Sequence, residues 1–282
     1  MYTAFNLKIA LDDFASLSSL PPKELIENGQ QRKENLQADL KLELEKFISA
    51  AGTIDGTGLA HEWFRAVQSD IFISHSHNDA DLAFALSAWL KTKFNLDVFL
   101  DECIWGSADK LLRIMDDKYC WQPERKTFSY NKRNLTTSHV HAMLSAAIYS
   151  VMDKAEVVLF LNTDESIPKI NDTMAENSEY TLSPWIYQEL MATKLLRTRD
   201  WSEYRKHAVL EHAQHKQDSA DLTIAYKTPI SDLTVLDKNA LLRWKNNYAK
   251  RTFCLDRCFL SDMEDHPLNY LYDTVFGKMK RK

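Results

Sequence analysis

Residues 69–101 read SDIFISHSHNDADLAFALSAWLKTKFNLDVFLD, and this stretch decides the fold class. Asp70-Ile71-Phe72-Ile73-Ser74 is a short apolar run ending in a polar turn. Ile71, Phe72 and Ile73 are too few for a helix, and two of the three are β-branched, which favours a strand. A strand apolar on both faces belongs in the middle of a parallel sheet covered by helices. The turn His75-Ser76-His77-Asn78-Asp79 then supplies cap chemistry, with Asn78 or Asp79 accepting from the free N–H groups of the next helix. That helix carries Leu82, Ala85, Leu86 and Trp89 at spacings of three and four, an apolar stripe. Leu96, Val98 and Leu100 give a second strand, with Phe99 on its other face. Strand, helix and strand form one βαβ unit, so an α/β fold is predicted.

Composition bounds the function classes. The chain has 282 residues, 45% hydrophobic and 27% charged, as expected of a globular protein. Its net charge of −5 speaks against general nucleic-acid binding, which favours a basic surface. Only 6 Gly and 7 Pro leave little room for long flexible linkers. Cys103, Cys120, Cys254 and Cys258 show no paired metal spacing. The opening MYTAFNLKIALDDFASL carries Asp12 and Asp13 without a basic leader, so no signal peptide is expected. No apolar run reaches transmembrane length. A cytoplasmic protein with no membrane partner is the simplest expectation.

Outward from the βαβ unit, residues 1–67 read as an N-terminal helical appendage. Pro21 and Pro22 open a helical pattern running from Lys23 to Ala51, with Leu36, Leu40, Leu44 and Phe47 on one face. Gly52 to Gly58 is a turn-rich break, and His61 to Val67 reads as a short helix. Residues 68–282 read as the main domain, with a long insertion at about 102–134. In that insertion Trp105-Gly106 is a candidate aromatic flap, 109–118 is helical, and 120–134 is a polar, basic loop. A helix from Thr136 carries Val140, Leu144, Ala147, Ile148 and Val151 towards the sheet. Glu156 to Asn162 is the third strand. A helix follows with Ser183 as N-cap and Pro184 in its first turn. Leu222–Tyr226 and Phe253-Cys254-Leu255 are expected strands, and Leu236–Tyr248 and Leu268–Phe276 expected helices. His207, His212 and His215 lack a carboxylate or cysteine that would complete a metal spacing, so no metal site is expected.

Two motifs resemble the Toll/interleukin receptor (TIR) domain family. The first is DIFISHSHNDADLA followed by LDVFLD. The second is SPWIYQEL at 183–190, which is similar to the TIR motif placing a Trp four residues before a Glu at a helix start. The resemblance spans roughly residues 69–280. It implies a flavodoxin-like fold with a central parallel five-stranded sheet and helices on both faces. In enzymatic members the Glu cleaves NAD, which implies Glu189 as catalytic residue, with Trp185 beside the substrate. Ile186 stands where many relatives have Cys.

The residues themselves speak to the same chemistry. NAD cleavage breaks the nicotinamide–ribose bond; the leaving pyridine is already cationic and needs no general acid. The ribose becomes oxocarbenium-like, and one carboxylate near its hydroxyls stabilises the developing charge. A Trp one turn away gives an aromatic wall. Equally, Trp185 can serve as a core anchor and Glu189 as an early-helix acid favoured by the dipole. Ser74 and His75 end the first strand and Asp101 the second, on the sheet edge where ligands bind, so they are candidate substrate contacts with Trp105. No GxGxxG or P-loop is present. The expected activity is NAD glycohydrolase or ADP-ribosyl cyclase, with NAD as substrate and no cofactor. The resemblance extends to Thoeris-type anti-phage TIR proteins, which implies self-association and a separate effector answering to the product. A non-catalytic TIR adaptor and a nucleoside transferase-like N-glycosidic enzyme are the alternatives.

Overall fold

The computed structural model describes residues 1–37, 44–50, 52–64, 68–100, 102–168, 179–204, 226–250 and 266–277. Five strands form one parallel sheet: β1 (Thr3–Lys8), β2 (Ile71–Ser74), β3 (Val98–Leu100), β4 (Val157–Leu161) and β5 (Thr234–Asp237). Their spatial order is β3-β2-β4-β1-β5. The helices used below are α1 (Pro22–Gln37), α2 (Gly56–Trp63), α3 (Ala80–Phe94), α4 (Glu102–Tyr119), α5 (Tyr130–Lys154), α6 (Pro184–Leu195), α7 (Lys238–Lys250) and α8 (Pro267–Phe276).

The period-two alternation of each strand sorts its side chains onto two buried faces. Phe5, Leu7, Ile71, Ile73, Val157, Leu159 and Leu236 pack with Leu82, Leu86 and Trp89 of α3, Trp244 of α7 and Leu271 of α8. On the other face, Ala4, Phe72, Phe99 and Val158 meet Leu144, Ile148 and Val151 of α5. Phe160 on that face meets Ile186 and Leu190 of α6. The expected βαβ unit is present, and its helix ends on Asn95 in the left-handed region (φ 56°), a common helix C-terminal device.

The N-terminal region departs from expectation. Thr3–Lys8 is an interior strand, pairing with β4 from Thr3↔Val157 and with β5 from Phe5↔Thr234. A boundary at 67/68 therefore cuts through the sheet, and the first residues are no appendage to it. α1 is described as far as Gln37, and Leu44–Phe47 is a short 3-10 turn, so the expected helix does not run unbroken to residue 51. α1 lies against α3, with Leu25 buried in the main core. Contact is close: a Cβ on Gly29 would stand 2.4 Å from the carbonyl oxygen of Phe84. The expected turn at 52–58 holds the start of α2, where the Asp55 side chain accepts from the Thr57 and Gly58 N–H groups.

The segment 102–134 is also more regular than its sequence indicates. Glu102–Tyr119 is one helix, so Trp105 stands on helical backbone rather than in a flap loop. Trp121–Gln122 and Thr127–Phe128 pair as a small antiparallel hairpin, and α5 begins at Tyr130. Arg133 belongs to α5 and bonds the buried Asp116 at 2.8 Å, where Thr136 also donates at 2.6 Å. The predicted strand at 222–226 is represented by Tyr226–Lys227, which pairs antiparallel with Tyr180–Thr181 outside the main sheet. Residues 222–225 and 253–255, with His207, His212 and His215, lie outside the described residues. The helix expected at Leu236 starts at Lys238, because Thr234–Asp237 is the edge strand. No helix among the described residues is long and apolar enough to cross a membrane.

If β1 is a structural strand, Phe5, which is fully buried, anchors the core. Phe5→Ala should cost about 3–5 kcal/mol of unfolding free energy, read by urea denaturation. A cost below about 1 kcal/mol, as for a residue on an accessory arm, would contradict the interior placement.

Candidate active site

The chain runs from β2 outward to β3 and then returns to the opposite side of β2 as β4. The strand order therefore reverses between β2 and β4. In open parallel sheets the crevice beyond the strand C-termini at such a point is where ligands bind. β2 ends there with Ser74, in register with Phe160 of β4, and both meet α6.

α6 is aimed into this crevice by its own sequence. Its first turn holds Pro184, and Ser183 Oγ accepts from the Ile186 N–H at 3.3 Å, as the sequence predicts. Ile186 and Leu190, four apart, bury one stripe of the helix against Phe160. That seating directs Glu189 towards β2. Ser74 Oγ donates to Glu189 Oε2 at 2.5 Å, and each residue is 1% exposed. A short hydroxyl-to-carboxylate bond of this kind is charge-assisted and stronger than a neutral one. It fixes the carboxylate at the end of the central strand.

α5 supplies a second wall that the sequence reading does not anticipate. His141, Ser145 and Tyr149 are spaced by four residues and share one side of the helix. They meet α6 in sequence order. The His141 ring lies edge-on to Trp185, with centroids 5.5 Å apart. Ser145 Oγ donates to Gln188 Oε1 at 3.2 Å. Tyr149 feels Glu189: its phenol is pushed above the ordinary range, chiefly by burial and further by the Glu189 charge. Burial also lowers the His141 imidazole to about 4, so it is neutral at neutral pH. The signal available in the sequence was this polar spacing of four, running beside the apolar stripe Val140, Leu144, Ile148 and Val151.

The rim of the crevice is tied across the two central strands. Asp79 does not cap α3 with its side chain. Its Oδ2 accepts instead from Thr163 at 2.6 Å and Ser166 at 3.1 Å, both in the turn after β4. Asn78 likewise donates to Glu165 at 2.7 Å. Both expected cap residues therefore bind the neighbouring loop.

Of the residues singled out in the sequence, Ser74 and Glu189 are joined by a hydrogen bond, and Trp185 stands one turn before Glu189 on α6, against His141 of α5. His75, buried at 4% exposure, follows Ser74 directly. Asp101 lies outside the described residues, and Trp105 is on α4 with its side chain undescribed. No group of His, Cys, Asp and Glu able to hold a metal ion is found among the described residues. In comparisons with known proteins, no family model, no curated protein and no solved structure matches the chain.

Two predictions follow from this geometry. Ser74→Ala removes a donor from a buried carboxylate and should cost about 1–3 kcal/mol, measured by chemical denaturation. A neutral effect would show that the bond contributes nothing. For His141, a folded-state value below the unfolded 6.5 means that protonation favours unfolding. Stability from the neutral ring is complete above about 6.5 and declines as pH falls towards 4. The melting temperature of the parent should fall more steeply across that window than that of His141→Gln. Parallel curves would contradict a buried neutral histidine.

Proposed function

We propose that the chain is a TIR-type NAD-consuming enzyme of flavodoxin-like fold that cleaves the nicotinamide–ribose bond. The observation that carries this reading is the Ser74–Glu189 bond at the β2/β4 crevice, with Trp185 one turn before Glu189. In support of this reading, Ser74 and Glu189, one from each quoted motif, are bonded at the C-terminal edge of the sheet, the edge at which α/β folds generally bind ligands.

In the proposed reaction the C1′–N bond breaks and its electron pair passes to the pyridinium nitrogen, releasing neutral nicotinamide. The ribose becomes an oxocarbenium-like cation, stabilised by the Glu189 carboxylate. Ser74 holds that carboxylate in place, so little reorganisation accompanies the charge build-up. Trp185 and the neutral His141 ring form an aromatic side to the site. Water then attacks C1′ and loses a proton, giving ADP-ribose, or an internal nucleophile of the same nucleotide closes a cyclic isomer. By resemblance, the setting is bacterial anti-phage immunity in the cytoplasm, with self-association of the chain and a separate effector that responds to the product.

A second reading draws on the depth of Glu189. At 1% exposure, a carboxylate bonded to Ser74 can serve as a structural tie between α6 and β2, as in a non-catalytic TIR adaptor. Glu189→Gln separates the two. It keeps size and hydrogen bonding but removes the charge. Nicotinamide release should fall at least about 100-fold, a loss of roughly 2.7 kcal/mol of transition-state stabilisation. Affinity for intact NAD should change far less, because the ground-state ribose carries no such charge. Turnover at the parental rate would make Glu189 a structural acid.

A further inference from the structure

Two half-buried side-chain amides at this end of the sheet each have a solvent-shielded nitrogen without the partner that burial ordinarily demands. Gln188 takes the Ser145 hydroxyl on its Oε1, while its Nε2, shielded from solvent, has no hydrogen-bond partner. Asn162 follows the last residue of β4 and continues the ladder, its backbone N–H donating to the Leu7 carbonyl at 2.9 Å. Its Nδ2 is also buried without a partner. Turning either amide end for end leaves an unmatched oxygen in the same place, since Ser145 satisfies only one end of Gln188. An unmatched buried polar group costs the folded state about 1–3 kcal/mol, and native proteins retain few.

Their positions give these groups a use. Gln188 adjoins Glu189 in sequence and lies three residues after Trp185 on α6. Asn162 stands one pleat beyond Phe160, against which α6 packs, at the C-terminal mouth of the β2/β4 crevice. Glu189, when ionised, can only accept hydrogen bonds, which suits ribose hydroxyls. The nicotinamide carboxamide oxygen and the phosphate oxygens of a dinucleotide need donors, and amide N–H groups provide them without adding charge.

We infer that Gln188 and Asn162 are substrate-binding residues whose buried amide N–H groups donate to oxygen acceptors of the nucleotide. This inference rests on the NAD-cleaving reading. Neutral donors that hold groups unchanged in the reaction bind ground and transition states alike, so they act on KM rather than kcat.

The test uses the full chain with Gln188→Met and Asn162→Leu, each close in size and unable to donate. Each variant should raise KM for NAD by about tenfold and leave kcat within about twofold. The melting temperature of Asn162→Leu should match or exceed the parent's, because an unmatched polar group has been removed; in Gln188→Met that gain is offset by loss of the Ser145 bond, and the melting temperature should change little. Product inhibition locates the acceptor: weakened inhibition by nicotinamide points to the carboxamide, and weakened inhibition by ADP-ribose points to the phosphate-bearing half. A parent that cleaves NAD while both variants keep its KM overturns this inference and leaves the broader reading standing. Lower melting temperatures with unchanged KM overturn it too, by showing that the amides serve the fold. A parent inert towards NAD overturns the broader reading, and this inference with it.

Discussion

Hydrogen bonding along both flanks of Thr3–Lys8 is the constraint on which the rest of the molecule depends. Parallel strands cannot be joined by tight hairpins, so each must be brought into place by a long crossover. Here the first residues of the chain lie between a strand at Val157–Leu161 and one at Thr234–Asp237. Without β1, β4 would expose an open edge and β5 would have no neighbour in the sheet. With it, β4 is flanked on both sides, and the Ser74–Phe160 row beneath the crevice is part of a continuous ladder. Phe5 and Leu7 complete one apolar face, while Ala4 continues the other.

Much of the sheet was legible because its central strands are apolar on both faces and its helices carry plain stripes. Ile71–Ser74, Val98–Leu100, Val157–Leu161 and the helix at Ala80–Phe94 all lie where periodicity places them. β1 was not legible, for a physical reason. TAFNLK sets Asn6 in the middle of an otherwise apolar run, and its partners lie about 150 and 230 residues away. β5 escaped notice because an edge strand needs few buried side chains, and only Leu236 of its four is buried. The start of α5 was missed because its first turns, Tyr130 to Leu135, face solvent and read as a polar loop.

The same contrast holds at the site. Ser183, Pro184, Trp185 and Glu189 were readable as a capped helix start with a fixed spacing, and Ser74 as a strand end. Their meeting was not, since it depends on Phe160 seating Ile186 and Leu190 and thereby turning Glu189 towards β2. The α5 wall of His141, Ser145 and Tyr149 needed the structure for the same reason: spacing shows a common face but not what it confronts. Burial gives this constellation its chemical character. In the proposed reaction, a carboxylate as buried as Glu189 would act on developing positive charge with less screening than in water. The tie to Ser74 offsets part of the cost of keeping it there.

Mass spectrometry of NAD incubated with the purified chain, over a range of protein concentrations, addresses the central claim most directly. Cleavage at the nicotinamide–ribose bond predicts free nicotinamide together with ADP-ribose, or a cyclic isomer formed without addition of water. Rising yield per subunit with concentration would match the proposed self-association. Recovery of NAD intact at every concentration, from folded protein, would contradict the enzymatic account and leave the Ser74–Glu189 pair as a structural tie.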